Sequence, residues 1–311
     1  MRRLFFLLQL PLFIGFNLFL LLTVFQLLSS PDSMTRLSYK EPTYNSKEEF
    51  DPSLERLNTI EKLVSYTDSL YAEKSFVDKN IKFEWAYPEI ASAVIRKRFY
   101  HGYSLYGFSN NFMAMFASQL VRMDGLSAIV LPNDILRYPF AACSQQSIVL
   151  MELMKEKGFA TRKVGFSGKR AGGHFCFEVY YNGTWHFYDP DMEPDVAVLN
   201  AYNHPNIAFL AKHPDILVQA YKQYPKEQVL DIFPNYFYGK VNAYAAPNAV
   251  IFQKATQFLS YTAWLILLVA FIFVRRKYLR LSRQTHVRNS RVRFPQLQRG
   301  MSPEFNLEYQ A

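Results

Sequence analysis

An uncharged run from Leu4 to Leu28, dominated by Leu and Phe, constrains this chain more than any other feature. About 20 apolar residues span a bilayer, so the run is long enough to cross one with some tilt. Arg2 and Arg3 would also suit the start of a cleaved signal peptide. The apolar part of such a peptide is only about 7–15 residues long, however, and no A-x-A-like cleavage site follows the run. The sequence therefore predicts an uncleaved transmembrane helix at residues 4–28.

A second apolar segment occupies residues 256–274 and ends abruptly at Arg275. It is near the lower length limit for a bilayer span. Because basic residues favour the cytoplasmic side, residues 1–3 and the basic tail, residues 275–311, are both expected in the cytoplasm. The tail is expected to be disordered. The region between the two helices is then expected outside the membrane. Two anchors and a basic cytoplasmic tail suggest a bacterial inner-membrane location, with this region in the periplasm.

The charge of the chain is concentrated at its two flanks. The formal net charge is +9, yet basic and acidic residues are equal in number between Ser29 and Val274. A nucleic-acid-binding protein would need a basic stripe on the folded domain, and none is visible here. The predicted contacts are therefore with the lipid bilayer and not with nucleic acid.

The middle of the chain is predicted to be one α+β domain at residues 51–255, joined to the first helix by a linker at residues 29–50. Apolar residues recur at helical spacing from Asp51 to Tyr71, and we expect one amphipathic helix there. A second helix is expected to begin at Pro88, and a later one to cover residues 207–221.

Residues 141–195 carry the most informative pattern. The stretch Ala141-Ala142-Cys143-Ser144 is predicted to open a helix that ends at Lys157-Gly158, since Gly158 is the residue expected just past a helix end. Three strands should follow, and Asn-Gly between the second and third is a strong signal for a two-residue hairpin turn. The predicted strands are Thr161–Phe166, His174–Tyr181 and Thr184–Asp189.

Three residues of this pattern suit acyl-transfer chemistry. A thiol at a helix start, here Cys143, is activated by the helix dipole, and the nearby N–H groups can stabilise an oxyanion. The hairpin register that pairs Glu178 with Phe187 also places His174 diagonally beside Asp189, on one face. The predicted roles are Cys143 as nucleophile, His174 as base and then acid, and Asp189 as the residue that orients the imidazole.

The stretches CSQQSIVLMELMKEKGFATRKVGF, GGHFCFEVYYNGTW and WHFYDPD resemble the motifs of the transglutaminase-like superfamily, which has a papain-like cysteine fold. The resemblance covers about fifty residues and includes the order Cys143, His174, Asp189. It implies a transglutaminase-like domain and thiol-dependent acyl transfer. One departure is Cys176, where the family often has Trp. The side chain that completes the oxyanion hole is not identified, and Tyr103 and Asn110 are the candidates.

Other polar residues have simpler interpretations. Cys176 is expected to be a core residue, although a disulfide with Cys143 would be within geometric reach and would silence the nucleophile. His186 alternates to the other strand face and is expected to be exposed, and His101 is an unpartnered candidate for the lining of a substrate cleft. The acidic residues after the third strand, among them Asp191 and Glu193, are interpreted as a solvated turn and not as a metal site, because the spacing of a calcium loop is missing.

Two functions remain open. The first is a membrane-anchored thiol-dependent acyl transferase or hydrolase (a peptidase, an amidase or a protein crosslinker) that acts on a peptide or protein amide outside the membrane. The second is a catalytically silent domain that serves as a binding or scaffold component of a cell-envelope assembly. Neither requires a cofactor or a metal ion.

Overall fold

The computed structural model describes residues 2–29, 42–46, 48–121, 126–170 and 172–293. The chain forms two compact units, one from Met1–Phe25 with Phe258–Ala311 and one from Gln26–Gln257. The architecture is α+β, as predicted. In chain order the described helices are α1 (Arg2–Leu28), α2 (Ile60–Val77), α3 (Phe83–Arg98), α4 (Phe112–Val121), α5 (Pro132–Ile135), α6 (Cys143–Glu156), α7 (Val196–Ala201), α8 (Ile207–Lys212), α9 (Pro214–Ala220), α10 (Lys226–Ile232) and α11 (Pro247–Arg293). The described strands are β1 (Tyr100–His101), β2 (Phe140–Ala141), β3 (Ala160–Ser167), β4 (Gly173–Tyr181), β5 (Thr184–Tyr188) and β6 (Tyr236–Tyr238).

The described part of the first unit consists of α1 up to Phe25 and the part of α11 that begins at Phe258. The Thr23 hydroxyl donates a hydrogen bond to the Ser260 carbonyl at 2.8 Å, and the rings of Phe13 and Phe271 lie 5.6 Å apart. Both α1 and the Pro247–Thr285 part of α11 are long and apolar enough to cross a membrane. This agrees with the two predicted transmembrane segments.

The basic tail differs in part from its prediction. Helix α11 begins at Pro247, before the predicted span, and continues through Arg293, so residues 275–293 are helical and not disordered. This segment contains neither Gly nor Pro and is rich in Arg, which favours helix. Residues 294–311, for which disorder was also predicted, lie outside the described residues.

The second unit is built around an antiparallel sheet of order β5–β4–β3–β6. Phe177, Val179 and Tyr181 of β4 pack into a core with α2, α3 and α6 on one face. Cys176 of the same strand packs with β3, β5 and the helices α7 to α10 on the other face. The sheet is therefore buried on both sides, and α6 lies directly against β4.

Several predicted element boundaries are wrong. The single helix expected from Asp51 to Tyr71 is a short 3-10 helix, Pro52–Arg56, followed by α2, because Thr59 caps a new helix through the N–H of Lys62.

Proline explains two further differences in the helices. Helix α3 begins at Phe83 and includes Pro88, which was expected to be its start. Pro88 lacks an N–H but lies near the helix start, where it costs one intrahelical hydrogen bond. The helix expected over residues 207–221 is divided at His213, because Pro214 forces the residue before it out of the helical region.

Candidate active site

Cys143 is the first residue of α6, as predicted, and follows the N-cap residue Ala142. The buried amide of Gln145 fixes this helix start: its Oε1 accepts hydrogen bonds from the N–H groups of Ala142, at 3.2 Å, and Ser104, at 2.9 Å. Its Nε2 donates to the carbonyls of Ser104, at 2.9 Å, and Ile129, at 2.8 Å. The position of the thiol is therefore set by four hydrogen bonds to buried backbone.

His174 and Asp189 are brought together by the β4–β5 hairpin. Its turn has the two positive φ angles, 48° and 80°, that an Asn-Gly turn of this type requires. Glu178 pairs with Phe187 in the register predicted from the sequence. Asp189 lies one residue beyond β5, and its Oδ2 is 2.8 Å from His174 Nε2. The predicted proximity of these two residues is confirmed.

The Asp189 carboxylate is fully buried and accepts four hydrogen bonds. Oδ2 is shared by His174 and by the Tyr221 hydroxyl at 2.9 Å, while Oδ1 accepts from the N–H groups of Asp191, at 3.2 Å, and Met192, at 3.1 Å. Burial alone would raise the pKa of Asp189, but the positive charge of His174 and these hydrogen bonds hold the pKa below its ordinary value. The carboxylate is thus fixed in position and ionised.

His174 is a strong candidate base. Burial disfavours its protonation, yet the negative charge of Asp189 and the hydrogen bond to it raise the pKa of the imidazole well above its ordinary value. Burial raises the pKa of the Cys176 thiol well above its ordinary value, so that thiol is neutral near pH 7. The charge that stabilises the imidazolium near neutral pH is therefore that of Asp189.

The Cys143 thiol lies beside this pair. Its Sγ, a ring nitrogen of His174 and a carboxylate oxygen of Asp191 are all within 4.8 Å of one another. Because Asp189 occupies Nε2 of His174, the second nitrogen, Nδ1, is the one left to serve the thiol. The three residues predicted from the sequence are gathered at one place.

Cys176 contacts the same imidazole, and the sequence did not predict this contact. Its Sγ is 3.0 Å from His174 Nε2, and the residue is completely buried. Cys143 and Cys176 are both free thiols in the structure. The expectation that Cys176 is a core residue is confirmed.

Asp191 is the residue that sequence analysis missed. It was interpreted as a solvated turn acid, but its side chain is only 6% exposed. Its Oδ1 lies 2.7 Å from His101 Nδ1 and accepts a hydrogen bond from Gln146 Nε2 at 3.0 Å. The hydrogen bond with Asp191 raises the pKa of His101, although burial opposes the shift. His101 is thus partnered, contrary to expectation.

The position of His101 follows from the short parallel pair β1–β2, in which His101 lies opposite Ala141. This strand pair places His101 beside the start of α6, next to the thiol. The sequence signal for this strand pair was a short apolar stretch just before Cys143. Such a stretch does not identify a parallel partner strand 40 residues upstream.

Two expectations about other polar residues are wrong. His186 is buried and not exposed, because its face of the sheet also packs against a helix: its ring lies 5.2 Å from that of Trp85 in α3, and its Nδ1 lies 2.8 Å from the His204 carbonyl. Asn110 does not reach the thiol, since its amide hydrogen-bonds to the Leu105 carbonyl and the Tyr138 hydroxyl.

The thiol and imidazole open onto a cleft of about 620 Å³. Tyr103, the other candidate for the oxyanion hole, lines this cleft. His101 lines it as well, as the sequence predicted. Glu193 also lines it, and burial together with the nearby charges of Glu49 and Glu48 raises the pKa of Glu193 to about 7 despite the opposing charge of Arg96. The complete lining is Asn45, Glu48, His101, Tyr103, Cys143, Gly173, His174, Asp191, Met192, Glu193, Gln223, Tyr224, Gln228 and Ile232.

Searches of protein-family models, of curated proteins and of solved structures found no match to this chain.

Proposed function

We propose that this protein is a membrane-anchored, thiol-dependent acyl transferase or hydrolase that acts on peptide or protein amides outside the membrane. The observation that carries the proposal is that Cys143 and His174 lie together at the wall of an open cleft, while the buried carboxylate of Asp189 holds His174. A buried carboxylate, an imidazole and a thiol in this order form the arrangement that activates a nucleophile.

The reaction would proceed through a thioester. His174 removes the proton of Cys143, and the thiolate attacks the amide carbonyl carbon. The imidazolium then donates that proton to the departing amine as the C–N bond breaks, leaving the acyl group on sulfur. Water or a second amine, deprotonated by His174, attacks the thioester and releases Cys143. Water as acceptor gives a peptidase or amidase, and an amine as acceptor gives a crosslinker.

The start of α6 suits the charge that develops on the carbonyl oxygen. Backbone N–H groups in the first turn of a helix point away from its body and carry a partial positive charge. Cys143 is the first residue of this helix, so a carbonyl attacked by its thiol lies against that end. Such donors are worth most in a site from which water is partly excluded.

The family and the location are part of the proposal. The resemblance of three motifs to the transglutaminase-like superfamily supports a domain of that kind, because thiol, imidazole and carboxylate follow one another in the same order. The basic residues beside both candidate spans support a two-pass topology with cytoplasmic ends, and in a bacterium the domain would be periplasmic. A reporter enzyme that is active only outside the cytoplasm, fused after Gln257, should be active, while a fusion after Arg293 should be inactive.

Turnover by the full-length protein in detergent tests the activity. We expect reduced protein to hydrolyse fluorogenic peptide amides or to incorporate a labelled amine into protein. Cys143→Ala should abolish this turnover, while Cys176→Ala, which removes the neighbouring buried thiol, should retain it. Equal turnover by wild-type protein and Cys143→Ala would refute the proposed role of the thiol. The melting temperature of each variant, followed by tryptophan fluorescence, checks its folding.

A further inference from the structure

We propose that Cys143, His174 and Asp191 form a binding site for a zinc ion, with a fourth coordination position open to the cleft. The three side chains offer one sulfur, one nitrogen and one oxygen, all within 4.8 Å of one another. Zinc binds these three donor types, and zinc sites with three protein ligands and one open position are common in enzymes.

The geometry requires only a small adjustment. Zinc lies about 2.0–2.3 Å from such donors, so tetrahedral ligand atoms are separated by roughly 3.3–3.8 Å. Closing from at most 4.8 Å to that range needs side-chain movements of about 1 Å. Asp191 and Cys143 both line the cleft, which gives the ion a route of entry.

The surroundings of the three ligands are already those of a metal site. A ligating His usually donates its other ring N–H to a carboxylate, and His174 Nε2 lies 2.8 Å from Asp189 Oδ2. A ligating carboxylate is usually held by hydrogen bonds, and Asp191 Oδ1 is held by His101 and Gln146. This leaves Nδ1 of His174 and Oδ2 of Asp191 as the coordinating atoms.

A buried acceptor near this cluster is also unsatisfied. Gln146 is 2% exposed, and its Oε1 has no hydrogen-bond partner among the residues that the structure describes. The Nε2 of the same amide group donates to Asp191. Buried polar atoms without a partner are rare, and this one is an acceptor for a donor such as a metal-bound water.

A second cluster, His174, Cys176 and Asp189, also has its donor atoms within 4.8 Å, but it suits an ion less well. Cys176 and the Asp189 side chain are completely buried, and neither residue lines the cleft. The Asp189 carboxylate already accepts four hydrogen bonds. An ion there would have to displace these bonds without access from solvent.

Zinc binding would silence the thiol. The Cys143 thiol gives its proton to solvent as the Zn–S bond forms, and the bound thiolate no longer attacks a carbonyl while His174 is held by the same ion. This consequence rests on the proposed thiol chemistry, whereas the site itself does not. Zinc would thus be a reversible inhibitor that competes directly with acylation.

Zinc titration tests the site independently of turnover. Full-length protein in detergent, reduced and freed of metal by a chelator, is titrated with ZnCl2 against a chromophoric zinc indicator. We expect one equivalent to bind, and Asp191→Asn and Cys143→Ser each to weaken binding about 10-fold or more. Cys176→Ala alters the second cluster, and Glu193→Gln alters the lining of the cleft. Both variants should bind zinc like wild-type protein.

Three results would overturn the zinc proposal: failure of wild-type protein to bind one equivalent, unchanged affinity in Asp191→Asn, or loss of binding in Cys176→Ala. A second measurement separates this proposal from the proposed function. One equivalent of zinc should block alkylation of Cys143 by iodoacetamide, and EDTA should restore it. Zinc binding that depends on Asp191 in a protein without amide turnover would support the metal site and count against the enzyme. Turnover that one equivalent of zinc leaves unchanged would instead count against the metal site.

Discussion

The substitution Asp189→Asn isolates the charge that supports His174. The side chains have nearly the same shape, and Oδ1 can still accept hydrogen bonds from the N–H groups of Asp191 and Met192. In place of Oδ2, asparagine has an NH2 group. This group would face His174 Nε2, which lies 2.8 Å from Oδ2 in the wild-type protein. An NH2 group donates only, so the imidazole would have to accept at Nε2 and carry its proton on Nδ1, the nitrogen that serves Cys143. The base would then be blocked.

The magnitude follows from the hydrogen bond that is lost. A hydrogen bond to a charged group contributes about 1.5–3 kcal/mol, and about 1.4 kcal/mol corresponds to a tenfold change in an equilibrium. Asp189→Asn should therefore reduce the population of the thiolate–imidazolium pair, and with it the alkylation rate of Cys143, by about 10- to 150-fold. Amide turnover should fall further, since the wrong tautomer removes the base in a triad of this type and costs about 10⁴-fold in the serine protease case.

The assay is the second-order rate of iodoacetamide labelling of Cys143 in full-length, metal-free protein at pH 7, measured by mass spectrometry. Tyr221→Phe is the matched control, because it removes a hydrogen bond of 2.9 Å from an uncharged donor to the same Oδ2 and leaves the charge of Asp189 and its hydrogen bond with His174 in place. We expect it to slow labelling by less than about 10-fold. An Asp189→Asn protein that melts cooperatively and labels Cys143 at the wild-type rate would show that the carboxylate does not support the base.

Three further predictions concern the scaffold. Burial lowers the pKa of His204 from 6.5 to about 3, despite a hydrogen bond to the Phe187 carbonyl. The unfolded chain therefore binds a proton that the folded chain does not, so the free energy of unfolding should fall as pH drops below 6.5, by about 2 kcal/mol at pH 5. Urea unfolding followed by tryptophan fluorescence at pH 7 and pH 5 measures this loss, and His204→Asn should remove it. An undiminished pH dependence in His204→Asn would be contrary evidence. Gln145→Ala should lower the free energy of unfolding by about 2–4 kcal/mol, because it leaves buried N–H and carbonyl groups unpaired; an unchanged urea midpoint would show that these bonds contribute little. Gly165→Ala should destabilise the protein by about 1–3 kcal/mol, since a methyl group there meets the Phe237 ring across β3–β6. Phe237→Ala in the same chain should recover part of that loss, and a Gly165→Ala protein as stable as wild type would exclude the clash.

The parts of the site that the sequence predicted are those governed by local rules. The Asn-Gly turn fixes the hairpin register, and the register alone places His174 beside Asp189. The start of α6 at Cys143 follows from the residues around it. The hairpin is decided within about twenty residues of chain, so pattern and spacing were sufficient for it. The helix start is marked locally, although the hydrogen bonds of Gln145 that hold it reach back to Ser104.

The missed features depend on packing between distant segments. His186 was expected to be exposed because strand alternation shows that a side chain changes face, but not whether that face is covered. Asp191 and His101 come together only because the two-residue strands β1 and β2 pair in parallel. Strand β6 has three residues and pairs with β3 from about 70 positions away, and so short a strand gives no periodic signal.

The most direct test of the central claim compares the reactivity of the two thiols. In reduced, metal-free, full-length protein at pH 7, we expect iodoacetamide to label Cys143 far faster than Cys176 and faster than glutathione under the same conditions. In His174→Gln the labelling of Cys143 should fall by about 10-fold or more, because the base that takes its proton is gone. Labelling of Cys143 at or below the rate of glutathione, with no change in His174→Gln, would contradict the account and favour a catalytically silent scaffold domain.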